Sequence, residues 1–171
     1  GVTGSTNGQG TAARFNKSWS VAVDSSGNVY VADRDNHLIR KIDSSGNVTT
    51  LAGSGSAGST NGQGTDARFN LPYGVALDSS GNVYVADRDN HMIRKIDSFG
   101  NVTTLAGAGS SGSTDGQGTA ATFNQPTRVA LDSSGNVYVA DQLNHLIRKI
   151  DSSGNVTTLA GQAGVSGSNN G

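Results

Sequence analysis

Apolar and polar residues alternate in short runs along this chain, and the pattern restarts on a fixed step. The segment Asn28-Val29-Tyr30-Val31-Ala32-Asp33 returns at Asn82 and again at Asn136, 54 residues further each time. Between 28–53 and 82–107 only Leu38/Met92 and Ser45/Phe99 differ. Between 28–53 and 136–161 only Arg34/Gln142 and Asp35/Leu143 differ. Repetition at such a period marks a modular array in which each copy is one supersecondary unit.

Within a copy the pattern predicts four short strands, over 20–23, 28–33, 38–42 and 47–52 in the first. Val, Ile, Tyr and Thr dominate these runs and suit a pleated strand. The turns Asp24-Ser25-Ser26-Gly27 and Asp43-Ser44-Ser45-Gly46 separate them; Asp opens such a turn through its side-chain acceptor and Gly supplies positive φ. Arg34-Asp35-Asn36-His37 joins the second strand to the third. No stretch carries a capped helical period. The first two strands are apolar on both faces: Val21 and Val23 against Ala22, Val29 and Val31 against Tyr30 and Ala32. Such strands need cover on both sides, which blades stacked around an axis provide. The expected fold is an all-β propeller with three four-stranded antiparallel blades, 16–53, 70–107 and 124–161, joined by Gly-rich crossing loops. A β-helix would repeat at a shorter period, and a sandwich would not repeat so closely.

Composition narrows the function classes. Hydrophobic residues make up 33% with 25 Gly, which in a strongly charged chain would signal disorder; the net charge here is −1. That balance gives no general attraction to nucleic acid or an anionic membrane. There is no cysteine, so disulfides and Cys-based metal sites are excluded. No apolar run approaches the ~20 residues of a membrane span, and Gly1-Val2-Thr3-Gly4 does not read as a secretory leader. An extracellular or cell-surface setting is the expected location.

The run Val29-Tyr30-Val31-Ala32-Asp33-Arg34-Asp35-Asn36-His37-Leu38-Ile39-Arg40-Lys41-Ile42 resembles the NHL repeat, named for its Asn-His-Leu triplet. Asn36-His37-Leu38 and Asn144-His145-Leu146 match the triplet outright, and Asn90-His91-Met92 nearly does. Gly74-Val75-Ala76-Leu77-Asp78 after Pro72 matches the usual first strand. The resemblance implies a propeller, most often six-bladed, and leaves function open among protein interaction, RNA binding and sugar- or peptide-related chemistry. The 54-residue period is longer than the ~40–45 of common propeller blades, the excess falling in crossings such as Gly53–Asn70. Three blades leave two apolar faces open, so two copies are expected to pair, the first blade of one against the third of the other, in a six-bladed ring. The tail Gly164–Gly171 nearly repeats the head Gly1–Gly8, differing only at Thr3/Ser166 and Thr6/Asn169. A segment of a longer array, or an engineered chain built to pair end to end, would look this way.

Candidate chemistry is sparse. His37, His91 and His145 recur once per blade, which suits an anchor of the connection better than a shared metal site. There is no Glu. Most acids open turns or end the second strand, leaving Asp35, Asp66, Asp89 and Asp115 for acid–base work. The Asp-Ser-Ser-Gly-Asn turns lack the alternating acids of a calcium loop. Gly58–Thr65 has no Lys before its Thr, so it is no phosphate loop; it reads as a plain crossing. Phe15, Phe69 and Phe123 are expected to plug the gaps between blades. Three of the Asn-x-Ser/Thr sequons, at Asn47, Asn101 and Asn155, repeat with one turn, and Asn16 adds a fourth.

Variation is uneven. The first-to-second and third-to-fourth turns share one face and hardly change. The opposite face collects the differences: Arg14/Arg68/Thr122, Lys17/Leu71/Gln125, Trp19/Tyr73/Thr127, Ser20/Gly74/Arg128, Arg34/Arg88/Gln142 and Asp35/Asp89/Leu143. A ligand is therefore expected on this face, at Arg14, Lys17, Trp19, Ser20, Arg34, Asp35, Arg68, Tyr73, Arg88, Asp89, Arg128, Gln142 and Leu143, with Trp19 and Tyr73 as anchors. The expected function is a non-enzymatic, self-assembling binding scaffold without cofactor, metal or catalytic residue. One alternative is a metal-dependent lyase or lactonase of the NHL-like kind; those place inward His, Glu or Asp around the channel, where this first strand offers Ser, Val and Ala. The other is RNA held by the basic and aromatic residues of the variable face, against which Asp35 and Asp89 offset the charge.

Overall fold

A computed structural model describes residues 2–167. The first sheet holds β1 (Gly8–Gln9), β2 (Ser18–Val23), β3 (Val29–Asp33), β4 (Leu38–Ile42) and β5 (Asn47–Ala52). The second holds β6 (Gly62–Gln63), β7 (Pro72–Leu77), β8 (Val83–Asp87), β9 (Met92–Ile96) and β10 (Asn101–Ala106). The third holds β11 (Gly116–Gln117), β12 (Pro126–Leu131), β13 (Val137–Asp141), β14 (Leu146–Ile150) and β15 (Asn155–Ala160). Helical structure among the described residues is limited to three-residue 3₁₀ turns. The likeness of head to tail falls partly on Gly1 and 168–171, outside the described residues.

Each sheet is five-stranded, in the order β1-β5-β4-β3-β2 and its repeats, not four-stranded as expected. The fifth strand comes from the crossing segment read as a plain loop. Gly62 and Gln63 pair with Val102 and Asn101 of β10, and the Gln63 amide donates to the carbonyl of Phe99. An outer strand otherwise presents unpaired N–H and C=O groups; this short strand covers part of that edge. The crossing thus runs from the outer edge of one sheet to the outer edge of the next before turning inward.

The Asp turns behave as the sequence implied. Asp24 Oδ1 accepts the backbone N–H groups of Ser26 and Asn28, each at 2.9 Å, and Gly27 takes φ +82°. The sheets come closest along their first strands, β2 against β7 and β7 against β12. Tyr30, Ala32, Ile39 and Ala52 of the first sheet bury against Ala67, Phe69, Val75, Val83, Val85, Ile96 and Val102 of the second. The same residue types build the second seam, from Tyr84, Ala86, Ile93 and Ala106 to Ala121, Phe123, Val129, Val137, Val139, Ile150 and Val156. Each sheet thus has a trailing face, toward the next, and a leading face, toward the one before.

A fully buried ion pair lies inside every blade: Arg40–Asp33 at 3.0 Å, Arg94–Asp87 at 3.0 Å and Arg148–Asp141 at 3.1 Å. Each guanidinium also lies 5.1–5.5 Å from the ring of Phe15, Phe69 or Phe123. Its Nη2 reaches the crossing segment, donating to Asn7, Asn61 or Asp115 at 2.7 Å. The second carboxylate oxygen receives the backbone N–H of Asn16, Asn70 or Asn124. The Asp that ends the second strand therefore does more than cap a turn: with the Arg it ties strand, connection and crossing together. Burial pushes Asp87 up to about 6 against the pull of Asn90, the Asn70 N–H and Arg94. Removing one member of such a pair strands a buried charge, at a cost of roughly 3–5 kcal/mol.

Candidate ligand face

The variable face is built where β2, β7 and β12 begin and where β3, β8 and β13 end. Each second strand runs into a 3₁₀ turn, Arg34–Asn36, Arg88–Asn90 or Gln142–Asn144, closed by a His in left-handed backbone, His37 at φ +56°, His91 at +56° and His145 at +59°. The Asn in the turn donates to the buried Asp at its start, Asn36 Nδ2 to Asp33 Oδ2 at 2.8 Å, so the turn is fixed by the same carboxylate that holds the core Arg.

Four of the candidate residues come together across the first seam. The rings of Trp19 and Tyr73 stand 4.6 Å apart at 47°. The Arg34 guanidinium lies 5.6 Å from the Trp19 ring and 4.9 Å from Tyr73, and Arg88 lies 4.8 Å from Tyr73. Asp35 binds Lys17 at 2.8 Å and Arg34 at 3.2 Å; Asp89 binds Arg88, whose Nη2 donates to Gln125. A guanidinium over an aromatic face is attracted by the ring quadrupole, so the cluster is held in place before any ligand arrives.

The remaining candidates fall elsewhere or act differently. Tyr73 is 8% exposed and sandwiched between two guanidinium groups, while Trp19 is 49% exposed; only Trp19 offers its ring to a ligand. Ser20 is buried and its hydroxyl accepts the N–H of Val75 in the next blade. Arg14 and Arg68 stand on the crossing segments against Gly4 and Gly58. Arg128, Gln142 and Leu143 are exposed on the third blade. Gln125, absent from the candidate set, joins the cluster through Arg88; its positive φ of +54°, shared with Lys17 and Leu71, leaves no mark in the sequence.

The opposite face carries shallow grooves between successive Asp-Ser-Ser turns, as between Asp78-Ser79-Ser80 and Asp132-Ser133-Ser134. Its carboxylates already accept three or four hydrogen bonds each, as at Asp43 and Asp24. Side-chain donation from Asn28, Asn47, Asn101, Asn136 and Asn155 holds Asp24, Asp43, Asp97, Asp132 and Asp151 below the usual carboxylate value, Asp132 at about 2. Among the described residues no group of three His, Cys, Asp or Glu side chains is placed to hold a metal.

The NHL repeat family model matches residues 15–42, 69–96 and 123–150. The chain is an array of NHL repeats. It is 35% identical over 132 residues to Protein SUPPRESSOR OF QUENCHING 1, chloroplastic, of Arabidopsis thaliana, covering 71% of this chain and 12% of that protein. It is 41% identical over 98 residues to NHL repeat-containing protein 2 of Bos taurus, covering 55% and 14%. The chain thus spans only a small part of these relatives. Among solved structures it resembles an auxiliary nutrient binding protein from Bacteroides thetaiotaomicron (TM-score 0.69, 26% identity, 81% of this chain and 36% of that one). It also resembles virginiamycin B lyase from Staphylococcus aureus (TM-score 0.60, 17% identity, 83% and 40%). Binding proteins and enzymes share the architecture, so the fold alone does not choose between them.

The NHL triplet has a distinct task for each residue. Asn36 donates to the Gly4 carbonyl at 2.6 Å, clamping the incoming crossing segment. His37 Nδ1 accepts the N–H of Leu71 at 3.1 Å, and His91 Nδ1 accepts that of Gln125 at 3.1 Å. The His thus anchors the connection and also latches each blade to the next. Leu38 is buried in its own blade.

Proposed function

We propose that this chain is a non-enzymatic, self-assembling NHL propeller module in which two copies close a six-bladed ring and display the face around Trp19 to a ligand. One observation carries the reading: side chains that are covered at the inner seams have equivalents at the ends that are exposed. Ile39 and Ile93 on the trailing faces are 0% exposed, whereas Ile147 is 43% exposed. Val75 and Val129 on the leading faces are buried, whereas Val21 is 62% exposed. The equivalent positions at the open ends are Tyr138, Ala140, Ile147 and Ala160 on the trailing side and Ala13, Phe15, Val21, Val29, Val31, Ile42 and Val48 on the leading side; Val21, Ile147 and Ala160 are exposed, while Val31 and Val48 stay buried. Those are, residue type for residue type, the two halves of both inner seams. Burying apolar surface stabilises by ~25 cal/mol per Å², and a copy of this chain is a partner already shaped for it. Two copies give six blades, within the roughly four to eight of a closed propeller, related by a two-fold axis.

The ligand part of the reading rests on the cluster of Trp19, Arg34 and Arg88 and on the commitment of most of the acids elsewhere. Asp33, Asp87 and Asp141 are locked in buried pairs, and Asp35, Asp89 and Asp115 are bound to cations. Light scattering and native mass spectrometry test the assembly: a species of about twice the 17.3 kDa chain mass is expected, and a monomer at all concentrations overturns it. Trp19 is the lone tryptophan, so its fluorescence reports directly on peptides, sugars and oligonucleotides screened against the assembled protein. A ligand that binds the Asp-Ser-Ser-Gly face and leaves Trp19 emission unchanged would refute the placement.

A further inference from the structure

We infer that the residues breaking the repeat at the two ends are matched to each other, so that Gln142 of one copy meets Lys17 of its partner and decides which blade closes the ring. The inference rests on ring closure by two copies. The inner seams show what this position does. Arg34 lies over Tyr73 of the next blade, and Arg88 donates to Gln125 of the next blade. The residue that opens the 3₁₀ turn therefore reaches across the seam to the positions occupied by Lys17, Leu71 and Gln125, and by Trp19, Tyr73 and Thr127. At both inner seams an Arg reaches over and a neutral side chain receives it. At the outer seam the receiving side chain is a cation, Lys17.

A third Arg at 142 would be unbalanced there. Asp35 already neutralises two cations, Lys17 at 2.8 Å and Arg34 at 3.2 Å. Gln142 removes the conflict, and its carbonyl oxygen can accept from the partner's Lys17 ammonium. Leu143 fits the same logic. Asp35 and Asp89 pair with the Arg beside them; where the Arg is replaced, the Asp is replaced with it, so the two charges are lost together. These are the only differences between 28–53 and 136–161, and both lie in the turn that reaches over the seam.

The backbone supports the same junction. Leu71 and Gln125, whose N–H groups donate to the His latches, take φ +49° and +54°. Lys17 holds φ +52°, so the first blade has the same receiving geometry. His145 is exposed where His37 and His91 are half-buried. Its Nδ1 is the matching acceptor for the N–H of the partner's Lys17. Like charges brought together at an interface disfavour the wrong pairing strongly, which makes this seam a specificity device as well as a contact.

The test is a charge exchange read by dilution, using sedimentation velocity and Trp19 emission on the full chain. Gln142→Arg places a cation against the partner's Lys17 and is expected to weaken the dimer about tenfold or more. Adding Lys17→Leu, which gives this position the neutral side chain that Leu71 supplies at the first inner seam, is expected to restore it to within a few-fold of the original. Both positions lie on the surface, and circular dichroism checks that each variant is folded. A Gln142→Arg dimer as tight as the unaltered one, or a loss that Lys17→Leu does not repair, overturns the pairing while leaving the six-bladed ring standing. A chain that is monomeric without any substitution overturns the ring itself, and the pairing with it.

Discussion

The two inner seams and the two end faces are made of the same side chains and live in different environments. Ile93 is sealed between blades and Ile147 stands in solvent, though each sits at the same place in its strand. Latches differ in the same way: His91 holds the N–H of Gln125, while His145 is exposed. The lesson is that a blade is not a self-sufficient unit. Each has a polar core of its own, the Arg–Asp pair, which all three keep fully buried. Its apolar face is finished only by a neighbour, as expected of an array whose stability is a sum of unit and interface terms.

A charge introduced at corresponding positions separates these environments most sharply. Ile93→Lys buries an unpaired ammonium in a sealed seam, a cost beyond ~4 kcal/mol that a marginally stable chain does not survive. Ile147→Lys puts the same charge in solvent, so the chain stays folded but no longer dimerises. Circular dichroism and light scattering distinguish the outcomes, and unfolding of both variants alike would erase the distinction between seam and end.

Acid should attack both environments equally, because the responsible groups lie in the turns. Asp24, Asp43, Asp97, Asp132 and Asp151 are held below their unfolded value of roughly 4. The stability they supply is present above that pH and is lost as pH falls through their folded values, about 2 for Asp132. Asp87 works in the opposite sense: held at about 6, it penalises the fold above that pH and relieves it as pH falls from 6 to 4. Thermal stability is therefore expected to hold or rise slightly between pH 6 and 4 and to drop steeply below. Ile147→Lys should show the same slope below pH 4; a steeper fall in the unaltered protein would place the titrating groups in the seams.

The two inner seams are themselves unequal. A Cβ on Gly74 would lie 2.7 Å from the carbonyl oxygen of Thr127 and 2.9 Å from the Cα of Arg128, whereas Ser20 at the same place in the first blade is accommodated. Gly74→Ala is expected to cost about 1–3 kcal/mol by forcing two backbones apart. A calorimetric change under 0.5 kcal/mol would show that the second seam has slack. The smallest effect separates the latches. His91→Ala and His145→Ala share the strain of Ala in left-handed backbone, so their difference isolates one hydrogen bond across a seam, about 1 kcal/mol. That difference is expected in dilute protein and should vanish at concentrations where the ring closes.

What the chain determines by itself is local. The 54-residue step, the Asp-Ser-Ser-Gly turns and the strands over 38–42 and 47–52 all stand in the structure where the pattern places them, because a turn residue or a two-residue alternation acts on its own neighbours. One buried feature was legible in principle: Arg40 shares a strand face with Leu38 and Ile42, so alternation alone puts it inside. Tertiary structure decided the rest. The bond from Arg94 to Asn61 spans 33 residues and that from His37 to Leu71 spans 34; both exist only once sheet order brings crossing, blade and neighbour together. The same holds for the fifth strand, whose Gly62-Gln63 is too short to carry a pattern, and for Tyr73. Its aromatic ring suggested an anchor for a ligand, but in the fold it is a spacer between two arginines, because burial depends on which blade stands next to it.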